Sequence, residues 1–112
     1  MPKPPTRALS RQTREAVRLL GLAVRDLRLA RGITVAEVAE RAGVSRGLVN
    51  RVEAGDPGTG IGAAFEIAAI VGVPLFDPDP KVVSREIALA RERLALLPSA
   101  ARVRTSEVKD DF

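Results

Sequence analysis

Apolar positions along the chain fall into helix-spaced stripes separated by Gly and Pro. Ser10 can cap a first helix, and Ala16, Leu20, Ala23, Val24, Leu27 and Ala30 carry its stripe to about Arg31. Gly21 weakens its interior by roughly 1 kcal/mol relative to Ala. Either the helix bends there or a neighbour comes close. Gly32 ends it, and Arg28 and Arg31 sit in the last turn, where cations suit the helix dipole. Thr34 to Glu53 then reads as a short helix, a tight turn and a second short helix. Val35, Val38, Ala39 and Ala42 share one face, and Gly43 supplies a left-handed turn. Ser45 stands as the cap of the next helix, whose Val49 and Val52 point inward. Arg46, Gly47, Asn50 and Arg51 are left on the outer side.

A Gly- and Pro-rich loop follows over 54–60. Ile61, Ala64, Phe65, Ala68 and Val71 predict a fourth helix, stopped by Gly72-Val73-Pro74, after which Leu75 and Phe76 are expected to pack back on the core. Asp77-Pro78-Asp79-Pro80 is a linker. A fifth helix is predicted from about Lys81 to Leu97, roughly 25 Å long, with Val83, Ile87, Ala90, Leu94 and Leu97 on one stripe. That stripe either joins two copies or packs on its own domain. The expected fold class is all-α: a compact four- to five-helix unit over 10–76, an extra C-terminal helix over 81–97, and a tail over 98–112. Residues 1–9, with three prolines and two cations, form a flexible basic arm, either lying along a partner or frayed. The tail is either a floppy terminus or a partner-binding segment anchored by Val103, Val108 and Phe112, the last behind Asp110-Asp111.

Composition narrows the chemistry. The chain is 46% hydrophobic but 3% aromatic, with no Trp or Tyr, so its core is built of Val, Leu, Ile and Ala. There is no Cys and no His, which excludes disulfides, Cys/His metal sites and Cys- or His-based catalysis. Asp77 and Asp79 alternate with prolines, which fits no acid/base site and offers too few ligands for a cation cage. No enzyme activity, cofactor or metal is expected. No apolar run approaches the roughly 18 residues of a membrane span, and the start lacks a signal-peptide core. The expectation is a cytoplasmic protein with no membrane partner. Net charge is +4 and uneven: residues 1–54 hold eleven Lys/Arg against five Asp/Glu, and residues 55–112 hold seven against nine. A basic front half fits a polyanion; the blander reading is an Arg-rich solvated surface.

The division of Thr34–Glu53 into an apolar inner side and a donor-bearing outer side is what a DNA-binding helix–turn–helix requires. Arg46 and Arg51 can fork onto guanine O6/N7 and Asn50 can pair with adenine, although all three can equally hold phosphates. Leu48 can touch a thymine methyl.

Residues Leu20 to Phe76 resemble the lambda-repressor-like, Xre-type helix–turn–helix family. The carriers are Leu27-Arg28 through Arg31-Gly32, the Thr34–Glu53 motif, Glu53-Ala54-Gly55 and Ile70-Val71-Gly72-Val73. The resemblance implies a pair between Arg28 and Glu53, and DNA reading by Ser45, Arg46, Gly47, Asn50 and Arg51 on double-stranded operator DNA; Thr34, at the start of the motif, is a further candidate DNA contact. Relatives often carry Gln after the Thr34 position to hold a phosphate; here Val35 stands there, leaving backbone N–H groups at the helix start. The loop 55–60 also lacks the basic residues many relatives place on the DNA backbone. Affinity is therefore expected to lean on Arg11, Arg14 and a homodimer. The wider layout is similar to Hip-type antitoxin regulators, on Glu53-Ala54-Gly55-Asp56-Pro57, Val73-Pro74-Leu75-Phe76, the Arg/Glu/Leu-rich helix to Pro98 and the Asp110-Asp111-Phe112 end. That similarity implies a dimeric repressor that also binds a kinase-like toxin. The alternatives are a free-standing phage-type or host repressor, and an adaptor that reads no DNA.

Overall fold

A computed structural model describes residues 8–99. In chain order it contains α1 (Arg11–Ala30), α2 (Val35–Ala42), α3 (Arg46–Glu53), α4 (Ile61–Val71) and α5 (Pro80–Ala95), with no strand among the described residues. No described helix is long and apolar enough to cross a membrane. The chain divides into one unit over 1–75 and a second over 76–112.

In the first unit α3 packs on α1 and α2, and α4 packs on the same two helices. Their shared core is Val24, Val38, Ala39, Val49, Val52, Ala64, Ile67, Ala68 and Val71, with Leu20, Leu27, Ile33 and Leu75 packed around it. These are small and β-branched side chains, as the lack of aromatics dictates.

The helices begin and end where the sequence has the chemistry for it. Ser10 accepts from the Thr13 N–H, Thr34 from Glu37 N–H and Ser45 from Leu48 N–H. α2 ends on Gly43 at φ 69°, ψ 34°, a conformation an L side chain resists. Around it the Val44 N–H donates to Ala39 O at 3.0 Å and the Gly43 N–H to Glu40 O at 3.3 Å. That pairing closes the last turn of α2 and aims the chain into α3. The same two-bond pattern ends α1, α3 and α4.

Several expectations are corrected. In α1 Ala16 and Ala30 are exposed, while Gly21 and Arg28 are buried. In α4 Ile61 is 75% exposed and Phe65 stands at the core's edge, whereas Ile67 is fully buried. The helix is apolar almost all round, so its phase was poorly marked by pattern alone. Leu75 packs against the core, but Phe76 falls in the second unit and is exposed.

In the second unit Asp79 caps α5 through the Lys81 N–H at 2.9 Å, with Pro80 as its first residue. The helix stops at Ala95, so Leu97 lies beyond it rather than within it. Leu97 still lines one surface groove with Leu89, Ala90, Arg93 and Leu94. α5 buries none of its residues; Val83 is half-buried, and Ile87 and Leu94 are exposed. Val103, Val108, Phe112 and residues 1–7 lie outside the described residues.

Candidate nucleic-acid interface

The site is organised by how α3 is held. Arg28, from the last turns of α1, donates through Nε to Glu53 Oε2 at 2.6 Å and through Nη2 to Glu53 Oε1 at 3.1 Å. Its Nη1 donates to Ile33 O at 3.0 Å. One planar guanidinium thus binds the end of α3 and the turn into α2 together. Arg28 is 8% exposed and Glu53 7%. No buried side-chain N or O among the described residues lacks a hydrogen-bond partner. The hydrogen bond to Glu53 pushes the Arg28 guanidinium above its ordinary pKa; burial pulls it down and the Glu53 charge adds to the rise.

Gly21 explains how close the two helices run. A Cβ there would collide with the backbone carbonyl oxygens of Val52 and Glu53, the latter at 2.7 Å. Of the two readings of Gly21, close approach of a neighbour is the one found. A third tie was not foreseen from sequence: Arg31 donates through Nη1 to Val71 O at 2.6 Å, closing the C-terminal turn of α4 from the end of α1.

With Val49, Val52 and Glu53 buried, α3 turns Arg46, Gly47, Asn50 and Arg51 outward, all exposed, with Leu48 half-buried at the edge. A Cβ at Gly47 would touch nothing closer than Ser45 Oγ at 3.8 Å, so packing within the chain does not demand a glycine there. Its effect is to leave the outer surface of α3 low between Arg46 and Asn50. Ser45 spends its hydroxyl oxygen on the cap, at 3.0 Å from Leu48 N, and keeps its O–H as a donor.

Arg51 is not a free fork. Its Nε donates to Asp56 Oδ2 at 3.2 Å, and Asp56 is itself fixed by accepting the Gly58 N–H on Oδ1 at 2.8 Å. Asp56 was missed as a site residue; its place five positions after Arg51, past a Gly, was the available signal. Thr34 is also engaged. Its Oγ1 accepts the Glu37 N–H at 3.0 Å and donates to Glu37 Oε1 at 3.3 Å, and its own N–H faces that carboxylate at 3.4 Å. The start of α2 therefore carries a negative side chain of its own, shared with Arg41 at 3.8 Å. Arg11 and Arg14 lie on the first half of α1, and Arg18, which the sequence reading passed over, joins them in one cleft against Ala54 and Gly55.

A profile of the family described as helix-turn-helix domain matches residues 19–75, from the middle of α1 to the end of the first unit. The chain belongs to that helix-turn-helix family. No curated protein and no solved structure gives a significant match. The match spans α2, the Gly43 turn and α3 whole, so the two helices of the motif and the DNA-binding fold they define are those described above. It begins after Arg11, Arg14 and Arg18.

Proposed function

We propose that this helix-turn-helix protein is a sequence-specific transcriptional repressor that lays α3 in the major groove of operator DNA. The observation that carries the reading is the outward set Arg46, Asn50 and Arg51 on a helix whose inner side is locked by Val49, Val52 and the Arg28–Glu53 pair. Eight residues make α3 about 12 Å long, the width of a B-DNA major groove. Asn50 pairs with an adenine edge and Arg46 with guanine or a flanking phosphate. Arg51 exchanges Asp56 for DNA, and Leu48 lies where a thymine methyl fits. Gly47 lets the helix surface approach the bases, and the Ser45 hydroxyl donates to a phosphate. An adaptor that reads no DNA has no need of this cationic outer face.

The protein acts as a homodimer, because one α3 of this length reads too few base pairs for an operator. Residues 81–97 supply the joining surface through Val83, Ile87, Leu94 and Leu97. Within this reading it is the antitoxin of a type II operon that neutralises a kinase-like toxin. The support is the layout after α3 and the acidic Asp110-Asp111 before Phe112. A free-standing repressor shares everything but that last step. Selection of genomic fragments by the purified protein, followed by footprinting, tests the repressor reading. Co-purification with the product of the neighbouring reading frame separates antitoxin from solitary repressor.

A further inference from the structure

The first half of α1 projects a mainly cationic ridge that the family match does not include. Arg11, Arg14 and Arg18 are spaced three and four apart, so they share one side of the helix. All three are exposed and line one cleft, whose far wall is Ala54, Gly55 and Pro57. Gly55 makes the wall possible: at φ 79° its Cα takes a left-handed turn, and a Cβ there would lie 3.0 Å from the Arg18 Cα. The acid in the cleft is Glu15, held by Arg11 at 3.6 Å. The cleft therefore carries three cations against one anion.

Its position relative to α3 gives it a purpose. Ala54 follows Gly47, Asn50 and Arg51 at helical spacing, so the outer side of α3 runs directly into the cleft. A recognition helix meets base edges through its N-terminal residues, so its C-terminal end and the cleft beside it lie toward the flanking backbone. We propose that this cleft is a second DNA-binding surface, in which Arg11, Arg14 and Arg18 grip the phosphate backbone at the groove edge without reading sequence. It rests on the DNA reading of α3 and extends it. Two or three guanidinium groups there supply the affinity that the loop 55–60, with no Lys or Arg of its own, does not.

The test is a salt titration of binding to a labelled random-sequence DNA duplex, compared with binding to a selected operator fragment. Each phosphate contact contributes about 0.9 to the slope of log affinity against log salt, so changing Arg11, Arg14 and Arg18 together to Ala should reduce the slope by about 2 to 3. Affinity should fall alike for random and operator DNA, leaving their ratio unchanged. The Lys triple should keep the slope, because charge and not geometry does the holding. Changing Arg102, Arg104 and Lys109 of the tail to Ala removes as much charge elsewhere and should move the slope less. An unchanged slope in the Ala triple, an equal change in the tail triple, or a loss confined to operator DNA overturns the cleft. In each of those cases the wild-type protein still binds its operator, so the reading of α3 survives. A wild-type protein that binds neither duplex overturns both.

Discussion

Arg28 and Glu53 decide whether α3 has a fixed place on α1. Removing one partner leaves a buried charge uncompensated, at a cost of about 3–5 kcal/mol. Glu53→Ala should therefore lower urea-denaturation stability by that amount, whereas replacing both residues with apolar side chains of similar volume should cost far less. Because Glu53 holds the Arg28 guanidinium above its ordinary pKa, its share of stability is complete below the unfolded value. It is lost only as pH rises through the higher folded value, so it adds no pH dependence at neutral pH. Gly21→Ala gives a test of sign. Helix propensity alone makes it stabilising by about 1 kcal/mol. The Val52 and Glu53 carbonyls in its way make it destabilising by about 1–3 kcal/mol in thermal or urea unfolding. The Arg28–Glu53 pair was legible only through family resemblance. Spacing along the chain says nothing of two residues twenty-five positions apart, and Arg28 reads from sequence as a surface cation at a helix end.

At the scale of the elements, caps and turns were the most legible features. Ser10, Ser45, Gly32, Gly43 and Gly72 act through local backbone chemistry, which sequence states directly; the same chemistry at Thr34 and Gly55 was passed over. Phase was less legible. α4 has Ala, Ile, Phe or Val on nearly every side, so the stripe was drawn through Ile61 and Phe65 and passed over the fully buried Ile67. Ile67→Ala should cost about 2–5 kcal/mol, and Ile61→Ala well under 1 kcal/mol, by the same denaturation measurement. In α5 the end of the helix was overrun, since Leu96 and Leu97 continue the apolar pattern after the backbone has left the helix. The Arg51–Asp56 bridge was marked in the sequence only by spacing, because it depends on how the loop folds back after Gly55. Asp56→Asn should release Arg51 and remove a negative charge near the DNA, raising the salt slope by about 1 on random-sequence duplex.

Across the whole molecule the uneven charge now has an address. Eleven of the eighteen Lys/Arg precede residue 55, where the helix-turn-helix lies, and the balance turns negative afterwards. That distribution places the basic charge on the unit that holds the helix-turn-helix match; in the proposed reading the second unit is left to join copies or meet a protein partner. Truncation after Pro98 should leave DNA affinity and the circular dichroism of the helices unchanged while weakening any complex with a toxin. The central claim, that α3 reads DNA, is tested most directly by footprinting a selected operator fragment with wild type and with Arg46→Ala/Asn50→Ala, both residues lying outside the core. The account predicts a discrete protected site for wild type, and for the folded double variant no protection beyond that on random DNA. A footprint that persists at the same site in the double variant would contradict it.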